Sequence, residues 1–107
     1  LNLRLWPDEE QKPWKKSVSA LNYDVLLVSQ FTLHASTRSG LKPDFHLSMK
    51  PIEAKEAYIQ FFNHVKKEYE KLGGTGIIAD GEFGALMDVQ LINDGPVTII
   101  LEKKPDK

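Results

Sequence analysis

Residues 23–33, YDVLLVSQFTL, carry the strongest strand signal in this sequence of 107 residues. The apolar centre runs without interruption from Val25 to Val28, a pattern typical of a strand that is buried on both faces. Hydroxyl, amide and aromatic side chains follow directly, in the peptide Ser29–Leu33. Because functional groups are often placed where regular elements end at the surface, we expect a site at the end of this strand.

A long amphipathic helix is predicted for residues 51–72. Pro51 suits the first turn of a helix, and Glu53 suits its positive N-terminal end. Gly73-Gly74 is predicted to end the helix. A phosphate-binding loop is the weaker interpretation, because the stretch lacks the required lysine. The apolar residues that follow helical spacing are Ala54, Ala57, Tyr58, Phe61, Phe62, Val65, Tyr69 and Leu72. Such a helix would cover one face of a sheet.

The remaining segments predict further strands and one long loop. Alternating leucines in residues 1–5 have the period of a half-buried strand, and a short strand is expected near residues 77–78. Two more apolar runs, residues 86–92 and 97–101, also predict strands. Residues 34–50 contain few large apolar groups and predict a loop long enough to be functional. The pattern as a whole predicts a single α+β domain.

The peptide Asn93–Thr98, NDGPVT, separates the last two apolar runs. Gly95-Pro96 is ordinary turn chemistry when considered by itself. Because proline cannot donate a ladder hydrogen bond, Pro96 must lie at the start of a strand or on an edge.

Composition excludes several classes of protein. Fourteen Lys plus Arg stand against fifteen Asp plus Glu, so the formal net charge is −1 and any RNA contact would need a local basic patch. There is no cysteine, which excludes disulfides and thiolate chemistry. His34, His46 and His64 are too scattered for a metal site, and we expect neither metal nor cofactor. No apolar run approaches the roughly 20 residues that span a bilayer, so a cytoplasmic protein is expected.

The peptides Ser29–Leu33 and Asn93–Thr98 together resemble the two signatures of the D-aminoacyl-tRNA deacylases, also called D-tyrosyl-tRNA deacylases. A third match is the peptide at residues 81–87, GEFGALM, and the peptide at residues 42–46, KPDFH, is similar to the family's loop after the first signature. The resemblance implies a layered β/β/α domain with mixed sheets, a homodimer with sites at the subunit interface, and hydrolysis of the ester of D-aminoacyl-tRNA. The family normally has a further N-terminal segment of strands and a helix. We therefore expect residues 1–107 to be about the C-terminal two thirds of the family's single domain.

The resemblance implies that the catalytic residues are Ser29, Gln30, Phe31 and Thr32. Backbone N–H groups at Phe31 and Thr32 would stabilise the oxyanion that forms during ester hydrolysis. Gln30 would orient the ester or the loop that contains Gly95-Pro96. Thr32 is an obvious candidate nucleophile, yet the motif holds no histidine or carboxylate to act as its base. We therefore favour attack by water with help from the ribose hydroxyl of the tRNA.

The other implied site residues form a filter and a substrate pocket. In the family the Gly-Pro bond is cis, and Gly95 and Pro96 of one subunit would enter the pocket of the other as a chiral filter. Phe83 and Met87 would pack against the terminal adenosine, since aromatic and thioether groups offer soft, flat surfaces. Asn93 completes the expected substrate-binding set.

Two other functions remain open at this point. One is the related editing domain of some archaeal threonyl-tRNA synthetases, which removes a mischarged L-amino acid. The other is a non-catalytic nucleic-acid-binding or chromatin-binding protein on the same fold, which the near-neutral charge disfavours. A test of deacylation on D- and L-aminoacyl-tRNA would separate all three functions.

Overall fold

A computed structural model of the chain describes residues 1–104, and residues 105–107 of the predicted domain lie outside the described part. The elements are β1 (Arg4–Trp6), β2 (Lys16–Ser17), β3 (Val25–Leu27), a short 3-10 turn (Phe31–His34), α1 (Pro51–Lys71) and β4 (Ile78–Asp80). β1 pairs with β2 in antiparallel fashion, and β3 pairs with β4 in parallel. The two small sheets and the long helix confirm the α+β prediction.

The helix α1 confirms the prediction from the sequence almost to the residue. Pro51 occupies the first turn, as expected from its missing N–H group. Beyond the last turn, Gly73 adopts φ +82°, a left-handed conformation that glycine takes without steric cost. The N–H of Gly73 donates to Glu70 O at 3.0 Å and the N–H of Gly74 to Tyr69 O at 2.9 Å. These two bonds form the motif that commonly ends a helix.

Two tyrosines of α1 attach the helix to β3. Tyr69 is 1% exposed, and its hydroxyl donates to Tyr23 O at 2.8 Å and accepts from the N–H of Gly76 at 3.0 Å. Tyr58 lies three turns earlier on the same face, and its hydroxyl donates to Leu27 O at 2.9 Å. The helix therefore lies along one side of the β3–β4 pair, which fixes the point where β3 ends.

The helix buries a narrower face than the sequence predicts. Its half-buried and buried apolar residues are Ala54, Tyr58, Phe62, Val65 and Tyr69. Phe61 and Leu72, which also fit helical spacing, are exposed. A face this narrow matches the two strands that it meets, since a two-stranded sheet offers little surface to cover.

The strand predicted over residues 23–33 is shorter and less buried than expected. β3 ends at Leu27, and the chain then turns into the 3-10 segment instead of continuing as a strand. Leu26 is 67% exposed, so the prediction of burial on both faces is wrong for the described residues. β3 pairs only with β4, and α1 covers only one side of that pair. The strand predicted in residues 1–5 is present but displaced, as β1 begins at Arg4.

The strands predicted at residues 86–92 and 97–101 do not form. Every residue from 86 to 104 is exposed, including Ile92 at 97%. No backbone hydrogen bond within residues 1–104 involves this segment. Because a strand exists only when its backbone groups pair with a neighbour, apolar composition alone was insufficient here. The predicted loop at residues 34–50 is confirmed, with one antiparallel bridge between Ser36 and Asp44.

Candidate active site at the end of β3

The peptide Ser29–Thr32 begins one residue after Val28, which follows the end of β3, and its last two residues open the 3-10 turn. Ser29 is half-buried, whereas Gln30, Phe31 and Thr32 are exposed. The first N–H groups of such a turn have no partner inside it. Accordingly, no acceptor among the described residues receives the N–H of Phe31 or of Thr32. The chain reversal therefore presents two neighbouring backbone donors to solvent at the end of the strand.

The side chains of Gln30 and Thr32 contact each other above this turn. The Nε2 amide of Gln30 donates to Oγ1 of Thr32 at 2.6 Å. None of the hydrogen bonds in the described part of the chain links the Thr32 hydroxyl to a histidine or a carboxylate. A hydroxyl that accepts a hydrogen bond and has no base beside it is a poor nucleophile. The pair is suited to orienting a bound group.

The loop at residues 34–50 is fastened to the same turn. Ser48 Oγ donates to Phe31 O at 2.8 Å, and the rings of Phe31 and Phe45 meet edge to face with centroids 4.9 Å apart. Ser36 and Asp44 exchange two backbone hydrogen bonds of 2.8 Å, which close the loop upon itself. Ser48 was not predicted from the sequence, because nothing local marks a serine that reaches a carbonyl 17 residues away.

Asp44 and His46 form a pair within this loop. Oδ1 of Asp44 accepts the backbone N–H of His46 at 3.0 Å, and Oδ2 contacts Nδ1 of its ring at 2.5 Å. The backbone bond and then the ring bond hold the pKa of the Asp44 carboxyl below its ordinary value of 3.8. Both carboxylate oxygens are therefore engaged by one neighbour.

Phe83 and Met87 lie in a second group of residues at the ends of β3 and β4. The ring of Phe83 lies 5.8 Å from that of Tyr58, inclined at 39°. A Cβ placed on Gly81 would lie 3.8 Å from Met87 Cε and from the methyl groups of Val28. Met87 and Val28 thus converge on this glycine, one residue before the peptide Ser29–Thr32 begins. The structure brings these two predicted substrate residues to the end of β3.

Tyr58 is a residue of this group that the sequence identified only as an apolar helix position. Its hydroxyl and the N–H of Gly81 both donate to Leu27 O, each at 2.9 Å. Burial raises the pKa of the Tyr58 hydroxyl above its ordinary value of 10.0, and the charge of Asp80 raises it further. Tyr58 therefore remains a neutral donor that holds the strand end in place.

The structure does not bring Asn93, Gly95 or Pro96 to this site. The Gly95–Pro96 bond is cis, in agreement with the resemblance, and Gly95 has φ +119°. A Cβ added to Gly95 would meet only atoms of Val97 within 4 Å, outside its direct chain neighbours. All of these residues are exposed. Within the described chain, Gly95 therefore has no close neighbour outside its own segment.

Residues 1–104 show neither a metal-binding cluster nor a membrane span. No group of three or more His, Cys, Asp or Glu side chains among them is arranged to hold a metal ion. None of the helical segments described has the length and apolar character needed to cross a bilayer.

The fold and the three signature peptides define a deacylase-type α+β domain, and comparison with known proteins agrees. Residues 1–102 match the sequence model of the family described as D-Tyr-tRNA(Tyr) deacylase. The chain therefore belongs to this family.

Individual relatives cover nearly the entire chain. A protein of Dictyostelium discoideum named D-aminoacyl-tRNA deacylase is 50% identical over 97% of this chain and 66% of its own length. A mouse protein named D-aminoacyl-tRNA deacylase 1 is 49% identical over 95% of this chain and 46% of its own length. The chain thus spans between 46% and 66% of the length of such curated relatives.

A solved structure shares the fold. The structure described as "c-Myc DNA Unwinding Element Binding Protein" superposes with a TM-score of 0.83 at 47% sequence identity. The superposition covers 98% of this chain and 67% of the other. A likeness this close confirms the predicted deacylase-type fold.

Proposed function

We propose that the protein hydrolyses the ester bond of D-aminoacyl-tRNA, releasing free D-amino acid and tRNA, and so serves chiral proofreading in translation in the cytoplasm. The observation that carries the proposal is the family match over residues 1–102, supported by relatives that are named D-aminoacyl-tRNA deacylase. The two exposed backbone donors at the end of β3 add a chemical reason, because ester hydrolysis needs donors aimed at the developing oxyanion.

In the proposed mechanism the N–H groups of Phe31 and Thr32 receive the oxyanion. Both lack an acceptor among the described residues, so no internal bond has to break before substrate binds. Preorganised donors of this kind stabilise the transition state without reorganisation during the reaction. Ser29 positions the turn, and Gln30 orients the ester.

Water, rather than Thr32, is the proposed nucleophile, with help from the ribose hydroxyl of the tRNA. The Thr32 hydroxyl accepts a hydrogen bond from Gln30 at 2.6 Å, and no base adjoins it in the described structure. Its role is to position the amide of Gln30.

The terminal adenosine is proposed to lie against Phe83 and Met87. Two observations support this proposal. Met87 and Val28, the residue before Ser29, both approach Gly81. The Phe83 ring lies 5.8 Å from the ring of Tyr58, whose hydroxyl donates to Leu27 O. Adenine stacks on such surfaces, and the ester would then lie over the two backbone donors. Asn93 is assigned to binding of the adenosine or the ester by the resemblance alone.

Gly95 and Pro96 are proposed to act in trans, in a homodimer whose sites lie at the subunit interface. Both residues are exposed, and the space around Gly95 holds only atoms of Val97 within the described chain, which supports an action on a second subunit. The backbone of the dipeptide would exclude the side chain of an L-amino acid and accept the amino group of the D form. A filter that ignores most of the side chain should tolerate many different D-amino acids.

The decisive experiment measures deacylation of D- and L-aminoacyl-tRNA carrying the same amino acid. Hydrolysis of the D form alone supports the proposal. Hydrolysis of the L form alone indicates an editing domain, and hydrolysis of neither indicates the nucleic-acid-binding alternative. A Pro96→Ala variant should lose activity or chiral selectivity, and unchanged selectivity would contradict the proposed filter.

A further inference from the structure

The loop at residues 34–50, called the basic loop below, differs in charge from the rest of the chain. It contains Arg38, Lys42 and Lys50 but a single acidic residue, Asp44, which gives it a formal charge of +2 with histidine neutral. The whole chain carries −1. The basic loop is therefore a positively charged segment of the kind that contact with RNA requires in a chain of this composition.

The cations of the basic loop are available to a ligand. Both oxygens of Asp44 are engaged by His46, so the carboxylate does not pair with the basic side chains. Within residues 1–104, neither Arg38, Lys42 nor Lys50 has an ion pair within 4.0 Å. Arg38 and Lys42 are both exposed.

An aromatic pair joins the basic loop to the turn before it, since Phe45 belongs to the loop and Phe31 to the turn. Phe31 and Phe45 meet edge to face while remaining 60% and 37% exposed. Exposed aromatic rings next to basic side chains are the combination that binds single-stranded nucleic acid, because bases stack on the rings while phosphates meet the cations.

The position of the basic loop relative to the site is fixed by hydrogen bonds. Ser48 Oγ donates a hydrogen bond to Phe31 O at 2.8 Å, and the N–H of Phe31 is one of the two proposed oxyanion donors. The basic loop is therefore attached to the turn that carries the proposed oxyanion donors, which the end of a bound tRNA would have to approach.

We propose that the basic loop, with Phe31 and Phe45, binds the single-stranded nucleotides that precede the terminal adenosine of the tRNA. This inference rests on the proposed function and adds a second contact surface to it. Arg38 and Lys42 contact phosphates, and the ring pair stacks a base. The surface acts on the affinity for tRNA and leaves the chemistry of the ester unchanged.

The test compares two substrates, D-aminoacyl-tRNA and D-aminoacyl-adenosine, which retains the ester but lacks the preceding nucleotides. The variant Arg38→Gln/Lys42→Gln should raise KM for the tRNA substrate and leave hydrolysis of D-aminoacyl-adenosine unchanged. The control Lys12→Gln/Lys15→Gln removes the same charge from the exposed turn between β1 and β2 and should affect neither substrate. The proposal would be overturned if both double variants raised KM for D-aminoacyl-tRNA equally. It would also be overturned if the loop variant lost as much activity on D-aminoacyl-adenosine as on D-aminoacyl-tRNA.

A binding measurement keeps this inference separate from the proposed function. A labelled single-stranded RNA with the sequence of the tRNA acceptor end is titrated at several salt concentrations. Removing one phosphate contact should reduce the slope of log K against log salt by about 0.7, so the loop variant, which removes two, should show a slope reduced by about 1.4. An unchanged slope overturns the RNA surface even if the enzyme is active. If the loop variant shows a reduced slope but the wild-type protein hydrolyses neither ester, the proposed deacylase activity is rejected and the proposed RNA-binding surface is retained.

Discussion

The hydroxyl of Tyr69 should contribute more to stability than that of any other tyrosine in the chain. Tyr69→Phe keeps the ring and removes a single oxygen. That oxygen donates to Tyr23 O at 2.8 Å and accepts from the N–H of Gly76 at 3.0 Å, in a residue that is 1% exposed. The substitution therefore leaves a carbonyl and an N–H without partners where water has little access.

The magnitude follows from the two hydrogen bonds that the substitution removes. A typical intramolecular hydrogen bond contributes about 0.5–1.5 kcal/mol net, so two of them predict a decrease of about 1–3 kcal/mol in the free energy of unfolding. Burial of the unpaired groups places the effect in the upper half of that range. Tyr58→Phe removes one half-buried bond to Leu27 O and should cost about 0.5–1.5 kcal/mol. Tyr23→Phe removes a hydroxyl with no hydrogen bond among the described residues and should lie within about 0.5 kcal/mol of the wild type.

Urea denaturation followed by circular dichroism measures this order. With a slope of about 2 kcal/mol/M, a decrease of about 2 kcal/mol in the free energy of unfolding moves the midpoint by about 1 M. Tyr23→Phe is the matched control, because it makes the same chemical change on the residue whose carbonyl Tyr69 bonds. A midpoint for Tyr69→Phe no lower than that for Tyr23→Phe would refute the assignment of Tyr69 as the link between α1 and β3.

Three further predictions follow from the geometry. Thr32→Ala should retain most of the deacylase activity, since its hydroxyl has no base. Complete loss of turnover in a folded Thr32→Ala variant would instead favour the Thr32 hydroxyl as the nucleophile. Gly76→Ala should be destabilising, because its Cβ would lie 2.6 Å from each of two oxygens. Gly81→Ala, whose Cβ would meet atoms only at 3.8 Å, should change the urea midpoint far less. Because the pKa of Asp44 is lowered, its bonds to His46 stabilise the loop fully at pH values above the ordinary pKa of 3.8. This stabilisation disappears as the pH falls through the lowered pKa. The amide signal of His46 should report this change by NMR, and a signal insensitive to acid would contradict it.

The sequence predicted α1 well because the signals for a helix are local. Pro51, the apolar spacing and Gly73 all act within one or two turns, and α1 begins and ends where they indicate. The predictions of strands at residues 86–92 and 97–101 were wrong, because a strand forms only beside a pairing strand, which composition does not reveal. The same distinction separates the site residues. The peptide Ser29–Thr32 was proposed as a site from the order of its residues in the sequence, whereas Tyr58 acts through a carbonyl 31 residues away, which no local pattern indicates.

The two signature peptides differ in what holds them, and this difference bears on the proposed dimer. Ser29–Thr32 is fixed by the end of β3 and by a hydrogen bond from Ser48, so its donors are in place within one chain. A Cβ added to Gly95 would meet only atoms of Val97 outside its chain neighbours, yet discrimination between two enantiomers demands placement to within about 1 Å. The exposed apolar side chains on both sides of the dipeptide, among them Ile92 and Ile100, are suited to burial against a further protein surface. In the proposed mechanism, oxyanion stabilisation would therefore need only the single chain, whereas chiral selection should arise only when another surface holds residues 86–101.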